Sequence, residues 1–258
     1  MSENKGPSEE PGEKIGQGPS RRRMLASLGL VAGGAAVAVA GPVGSAHAAA
    51  PAAPAAPAET DPAVPAPRTW TKGTTQNGWP VVSAAAGGGY TNLRIEGTSA
   101  VVALRPGDAA TVLEYVARRF HYEIRALKSG DVFGYTTQHS VTTAYESNYL
   151  SGTALSILPG LYPAGVAGGF HPLEQVVVRD ILASCAGVVR WGGDDPDVPK
   201  EGHFQIDVPP GASALRDLAA KLSAARTTPG QGAGAFVDPF AAGRRSAAKA
   251  MERRQRAA

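Results

Sequence analysis

The sequence predicts an α+β fold in which a small antiparallel sheet is packed by about three helices. Several short segments alternate apolar and polar residues as strands do, and three longer segments carry apolar residues at helical spacing. Stretches that contain Gly and Pro separate these segments. All of them lie between residues 69 and 226, where we predict the folded domain of the chain.

The first 48 residues have the features of an export signal rather than those of a domain. A twin-arginine type basic segment at residues 20–25 precedes an apolar run at 25–40, and Ala46-His47-Ala48 offers a small-residue cleavage site. The apolar run is short and weakly apolar for a membrane anchor. We therefore expect export by the twin-arginine route, an extracellular or cell-wall location, and no stable membrane span after cleavage.

Two further segments are predicted to lie outside the folded domain. Residues 49–68 are mostly Ala and Pro and bury too little apolar surface to fold, so we expect an extended linker. Residues 227–258 are small, polar and basic, which predicts a disordered tail that solubilises the chain or contacts anionic wall polymers. A net charge of +3 makes no case for a nucleic-acid partner.

The first predicted elements are an opening strand, a hairpin and a helix. Residues 79–82 form the strand, and residues 92–105 form a hairpin around a turn at Glu96-Gly97-Thr98. Apolar residues at helical spacing predict a helix over residues 109–127, with Asp108 as its N-cap. Three charged or polar residues lie off the apolar stripe, where we expect a solvated face: Arg118, Arg119 and His121.

The second half of the domain alternates strands and helices around a long loop. Residues 158–172 are rich in Gly and Pro and predict a loop over the sheet. The lone Cys185 excludes an internal disulfide, and its apolar surroundings predict a buried residue. The remaining predicted elements are strands at 154–157, 188–191 and 203–208 and helices at 173–186 and 212–224.

Two stretches, residues 146–157 and 188–208, together carry a recognisable pattern. They resemble the zinc D-alanyl-D-alanine carboxypeptidase family of cell-wall peptidases, whose pattern runs Ser-x-His-x-x-Gly-x-Ala-x-Asp, then Trp-Gly-Gly, then acid-x-x-His-Phe-x-Ile. The resemblance covers about residues 79–208 and implies a D-Ala-D-Ala carboxypeptidase-like fold. The positions that agree are Ser147, Gly152, Ala154, Trp191, Gly192, Gly193, His203, Phe204 and Ile206.

The chain departs from this pattern at the positions to which the family assigns chemistry. The resemblance implies that Tyr149 and Ser156 replace two zinc ligands and that Lys200 replaces the catalytic acid, so that His203 alone is retained as a metal ligand. Neutral hydroxyls bind zinc more weakly than imidazole and carboxylate do, so zinc is not favoured. Glu201 is the candidate catalytic base if a metal is held, and otherwise a surface glutamate.

The resemblance implies an envelope protein, non-catalytic or with an altered metal site, that binds peptidoglycan stem peptides. Its substrate-binding candidates are Ser147, Tyr149, Ser151, Ser156 and Trp191. The alternative is an active zinc D,D-carboxypeptidase that uses substitute ligands, so the sequence leaves open whether the protein is an enzyme.

Two other catalytic arrangements use residues outside the family pattern. His139 and His171 are candidate substitute zinc ligands, although a loop histidine is more often simply exposed. Ser151 or Ser156 with His203 and Asp207 supplies the residue types of a nucleophilic triad. No Gly-x-Ser-x-Gly elbow accompanies them, so this interpretation is weak.

Overall fold

The computed structural model of the protein describes residues 64–83, 89–232 and 234–257. The expected export signal and most of the expected linker lie outside the described residues. None of the helices in the described part of the chain combines the length and the apolar character that crossing a membrane requires.

The described residues form an α+β structure, as the sequence predicts. The strands are β1 (Arg68–Thr69), β2 (Thr91–Arg94), β3 (Val101–Leu104), β4 (Val132–Phe133), β5 (Ser140–Val141), β6 (Ala154–Ile157), β7 (Val189–Trp191) and β8 (His203–Ile206). The α-helices are α1 (Asp108–Glu123), α2 (Pro172–Ser184), α3 (Ser213–Thr227) and α4 (Ala242–Arg256), and two 3₁₀ helices span Ala144–Ser151 and Gly192–Asp194.

The central sheet has four antiparallel strands in the order β4, β6, β8, β7. Strands β2 and β3 form the predicted hairpin, and β1 pairs with β5 as a separate two-stranded ladder. In the central sheet, Leu155 of β6 lies opposite Phe204 of β8, and Ser156 lies opposite His203. Because side chains alternate along a strand, this register sends Leu155 and Phe204 to one face and Ser156 and His203 to the other.

The apolar face of the sheet forms the core with helix α1. The predicted stripe of α1 is fully buried at Val112, Leu113, Val116 and Phe120, which pack in one cluster with the apolar residues of β6 and β8. Cys185 is buried in the same cluster, as predicted. The polar face of the sheet is therefore the side on which His203 and its neighbours meet other parts of the chain.

The segment that was expected to be an opening strand is an irregular loop with a single bridge between Thr74 and Pro80. Within this segment, Val81 N–H donates to the carbonyl of Gly73 and Val82 N–H to the carbonyl of Leu150. The residues just before it bond to side chains of the 3₁₀ helix Ala144–Ser151, since Gln76 N–H donates to Ser147 Oγ and Asn77 N–H to Asn148 Oδ1. The loop thus closes over the polar face of the sheet.

Helix α4 replaces part of the tail that was expected to be disordered. It packs against α2, with Ala248 buried, and Gln255 Nε2 donates to the carbonyl of Val189 at 2.6 Å. Arg244 Nε donates to a carboxylate oxygen of Asp180 at 2.7 Å. The prediction failed because the inward face of this helix carries small and polar side chains, which leave no apolar periodicity in the sequence.

The expected solvated face of α1 is also wrong for two of its three residues. Arg118 and Arg119 are buried. Arg118 pairs with Glu96 at 2.9 Å and Arg119 with Asp180 of α2 at 2.7 Å. The sequence shows that these arginines lie off the apolar stripe of α1. It does not show which acidic residue of another element lies opposite them, and we therefore predicted exposure to solvent.

Candidate functional site

Three positions that the resemblance assigns to metal ligands lie together on the polar face of the central sheet. Ser156 of β6 is the register partner of His203 on β8. Tyr149 reaches them from the 3₁₀ helix Ala144–Ser151, and its hydroxyl lies 2.7 Å from His203 Nδ1. We call this group of three residues the histidine centre.

Gly152 explains how the chain brings Tyr149 to the strand that follows it. It ends the 3₁₀ helix with a φ of 67°, in the left-handed region that favours glycine. A Cβ atom there would lie 2.7 Å from the backbone nitrogen of Arg105, so close approach of the hairpin also requires glycine. The sharp reversal at Gly152 starts β6 two residues later, at Ala154.

The hydrogen bonds around His203 define its protonation state. Asn77 N–H donates to Asn148 Oδ1, so the Asn148 amide nitrogen faces Gln205 and donates to its Oε1 at 2.8 Å. That same Oε1 lies 3.0 Å from His203 Nε2, which must therefore carry a hydrogen. Nδ1 is left to accept the hydroxyl hydrogen of Tyr149. Both ring nitrogens of His203 are thus occupied by protein groups.

Burial keeps the histidine centre neutral. His203 is 1 % exposed. Desolvation lowers the pKa of its imidazole to about 3, and burial raises the pKa of the Tyr149 hydroxyl. The ring of Tyr145 covers His203, with the two ring centroids 4.7 Å apart. At neutral pH the centre therefore contains a neutral imidazole and a neutral phenol.

An ion pair lies beside the histidine centre. Lys200 Nζ lies 2.7 Å from a carboxylate oxygen of Glu146 and 5.3 Å from the centroid of the Tyr149 ring. Burial raises the pKa of Glu146, but the charge of Lys200 and the backbone N–H of Thr142 outweigh it and hold this pKa below its usual value. The position of the family's catalytic acid thus carries a cation whose charge Glu146 neutralises.

Glu201 was predicted to be either a catalytic base or a surface glutamate, and the structure shows that it is buried. It is 3 % exposed. Its carboxylate accepts backbone N–H groups of Gly168 at 2.9 Å, Gly169 at 2.7 Å and Phe170 at 3.2 Å. Glu201 lies in a turn before β8, and it anchors the loop that leads into α2.

The other predicted substrate-binding residues are buried as well. Ser147 Oγ accepts from Gln76 N–H at 2.8 Å, and Ser151 Oγ lies 2.8 Å from Thr153 Oγ1. The Trp191 indole donates to the carbonyl of Glu201 at 2.6 Å. Ser156 Oγ is buried and has no hydrogen-bond partner within the described residues. These side chains therefore support the closed centre and do not line an open cleft.

The substitute ligands and the triad residues are used elsewhere. His139 Nδ1 lies 2.9 Å from the carbonyl of Trp70, and His171 caps the N-terminus of α2. Asp207 bonds Arg190 at 3.1 Å. Across residues 64–83, 89–232 and 234–257, no group of three or more His, Cys, Asp or Glu side chains is arranged to hold a metal ion.

Tyr145 also lines a groove whose lining residues do not include His203. The volume of the groove is about 340 Å³, and the Tyr145 hydroxyl donates to the carbonyl of Val198, another lining residue, at 2.8 Å. The other polar residues that line it are Gln76, Thr142, Thr143, Asp195 and Asp197. Neither this groove nor the proximity of Tyr145 and Glu146 to His203 was predicted, although Glu146 begins the stretch 146–157 and Tyr145 immediately precedes it.

Comparison of the chain with protein-family models, with curated proteins and with solved structures found no match.

Proposed function

We propose that the protein is an exported cell-envelope protein with a D-alanyl-D-alanine carboxypeptidase-like fold that binds peptidoglycan stem peptides without hydrolysing them. One observation carries the proposal: four residues at the family's chemical positions, far apart in sequence, are neighbours in space. Tyr149 bonds His203, Ser156 pairs with it in register, and Lys200 lies over the Tyr149 ring. This clustering supports the alignment from which the resemblance starts.

The same cluster favours a non-catalytic role. Hydrolytic zinc needs about three protein ligands with available lone pairs and an open position for water. Here Nδ1 of His203 accepts the Tyr149 hydroxyl and Nε2 bears its own hydrogen. Zinc is accordingly not part of the proposal.

The groove outside Tyr145 is the proposed peptide site. It offers hydroxyl and amide groups for a peptide backbone, and the exposed carboxylate of Asp197 suits the free amine of a diamino acid in a stem peptide. The buried candidates Ser147, Tyr149 and Ser151 then act indirectly, by fixing the wall of the groove.

A titration of the purified protein with a fluorescent stem pentapeptide that ends in D-Ala-D-Ala tests the binding proposal. Asp197→Lys should weaken binding, whereas Asp217→Lys, the same change on the exposed face of α3, should not. Binding that is absent, or that is equal in both variants, would overturn the proposed site.

The alternative, an active zinc carboxypeptidase, is tested in the same samples. Release of D-Ala that requires zinc and is lost in His203→Ala would establish the enzyme and exclude the non-catalytic role. The converse experiment restores the family's residues in Tyr149→His, Ser156→Asp and Lys200→Glu together. This variant should bind zinc with one equivalent per chain, and no gain over the wild type would mean that the alignment of these positions is wrong.

Helix α4 is the proposed contact with anionic wall polymers. It carries three exposed cations at a spacing of four residues, and none of them is in an ion pair within the described residues: Arg245, Lys249 and Arg253. This spacing puts them on one face of the helix. An ordered row of like charges is a better polyanion site than a disordered tail, because its ordering entropy has already been lost.

A further inference from the structure

A second cavity lies among the four helices, remote in sequence from the residues assigned to peptide binding. Its volume is about 540 Å³, and residues of α1, α2, α3 and α4 line it together with the loop that precedes α4. Small-molecule sites usually have volumes of about 300–1,000 Å³, apolar walls and a few polar groups. This cavity has the size of such a site.

The inner wall of the cavity is a network of charges that neutralise one another. Asp180 accepts from Arg119 at 2.7 Å and from Arg244 at 2.6 and 2.7 Å. Arg119 also pairs with Glu123 and donates to the hydroxyl of Tyr115 at 3.0 Å. Two cations and two anions therefore balance in this wall, which leaves little net charge there.

Two donors at the cavity are not used by the network. Arg244 donates through Nε and Nη2, and its Nη1 has no hydrogen-bond partner among the described residues. Lys221 of α3 also lines the cavity, is exposed, and makes no ion pair within the part of the chain that the structure describes. Asp180 and Glu123 already balance the charges of Arg119 and Arg244. Among the described residues, Arg244 therefore offers a ligand a free N–H donor, and Lys221 offers an unpaired positive charge.

Apolar side chains form part of the remaining lining, which also includes the polar residues Arg118, Ser184 and Gln231. Leu218 and Leu222 of α3 form one side, and Ala183 of α2 faces the cavity with a side chain too small to fill it. Phe236, in the loop before α4, is 92 % exposed and also belongs to the lining. An aromatic side chain that exposed costs free energy in water unless a ligand covers it.

We propose that this cavity binds a small amphipathic anion, with an apolar body against Leu218, Leu222 and Phe236 and its acidic group at Lys221 and Arg244. A cationic ligand would meet the ammonium of Lys221 and should bind more weakly than an anion of the same size. This site is independent of the stem-peptide groove, so either proposal can fail without the other.

A fluorescence titration with 8-anilinonaphthalene-1-sulfonate, an aromatic body with one sulfonate, tests the proposal on the folded protein. Decanoate should displace the probe, and decyltrimethylammonium, of similar chain length and opposite charge, should not. Lys221→Glu should weaken binding about fivefold, the factor that corresponds to a strong exposed ion pair. Lys128→Glu, the same charge reversal at an exposed site outside the cavity lining, is the matched control and should leave the affinity unchanged.

A second variant tests the apolar part of the cavity. Ala183→Phe should fill it and reduce probe binding by about tenfold or more. Displacement by both amphiphiles alike, or equal probe affinity in the wild type, Lys221→Glu and Lys128→Glu, would overturn the proposal even if Ala183→Phe fails to fold.

Discussion

Glu201→Gln tests whether this buried carboxylate anchors a loop or acts as a catalytic base. The carboxylate accepts three backbone N–H groups, one at Oε1 and two at Oε2. Glutamine retains one acceptor oxygen, and its NH₂ group must face the N–H of Gly168 or those of Gly169 and Phe170. Each hydrogen bond to a charged group contributes about 1.5–3 kcal/mol. The variant should lose at least one of these hydrogen bonds, and the new NH₂ group should face a backbone N–H. Together these changes should lower the unfolding free energy by about 3 kcal/mol.

Urea unfolding measures this loss. With a denaturant slope of about 2 kcal/mol/M, a loss of about 3 kcal/mol moves the midpoint by about 1.5 M. Glu174→Gln is the control, because its carboxylate accepts a single N–H in the exposed capping box of α2 and should cost about 1 kcal/mol or less. Midpoint shifts of equal size in the two variants would refute the anchor. Loss of zinc-dependent D-Ala release without loss of stability would make Glu201 the base.

Three further predictions concern the histidine centre and α4. Tyr149→Phe removes the hydroxyl that donates to His203 Nδ1. It should lower the unfolding free energy, measured by urea titration, by about 1–3 kcal/mol. The control Tyr122→Phe, at an exposed site, should leave the unfolding free energy unchanged. Since burial lowers the pKa of His203 from 6.5 to about 3, unfolding takes up a proton between these pH values, and stability is highest above pH 6.5 and falls as the pH decreases through this window. We expect a loss of about 2 kcal/mol from pH 6.5 to 4.5, and a flat series of urea midpoints would contradict it; His203→Gln should reduce the slope. The third prediction reverses the charge of the three exposed cations on α4, Arg245, Lys249 and Arg253. For binding of inorganic polyphosphate, this change should reduce the slope of log K against log salt by about 2, whereas the control Arg216→Glu on α3 should not. An unchanged slope would exclude this row of cations as the contact.

Elements with a strong apolar period were predictable from the sequence. The stripe of α1 is buried as expected, and so are Phe204 and Ile206 of β8. His203 and Gln205, on the other face of β8, are buried too, because Tyr149 and Asn148 of the 3₁₀ helix Ala144–Ser151 bond to them. Helix α4 was missed for the opposite reason: it docks through Ala248, Gln255 and an arginine. Such contacts depend on partners in α2 and β7 that no local pattern reveals.

The sequence predicted which residues form the candidate site, but it did not predict that the site is closed. The spacing of the two motifs identified His203, Tyr149 and Ser156, which lie together. That the centre is closed depends on Tyr145, whose ring packs on His203, and on the loop at Gln76, which contributes to the network from about seventy residues earlier in the chain. Likewise, the burial of Glu201 follows from three N–H groups more than thirty residues away.

The substitutions at the family's chemical positions are physically linked. An aspartate at position 156 without a metal would be a carboxylate in a buried layer next to a neutral imidazole, and an unpaired buried charge costs several kcal/mol. A second histidine at position 149 would lack the hydroxyl hydrogen that His203 Nδ1 now accepts, unless it were itself protonated on the nitrogen facing Nδ1. With Tyr149, Ser156 and the Lys200–Glu146 pair, the groups at this centre are neutral or paired without any ion. Under the proposed resemblance, Ser156 therefore avoids a buried carboxylate charge, and Tyr149 supplies the hydrogen that His203 Nδ1 accepts.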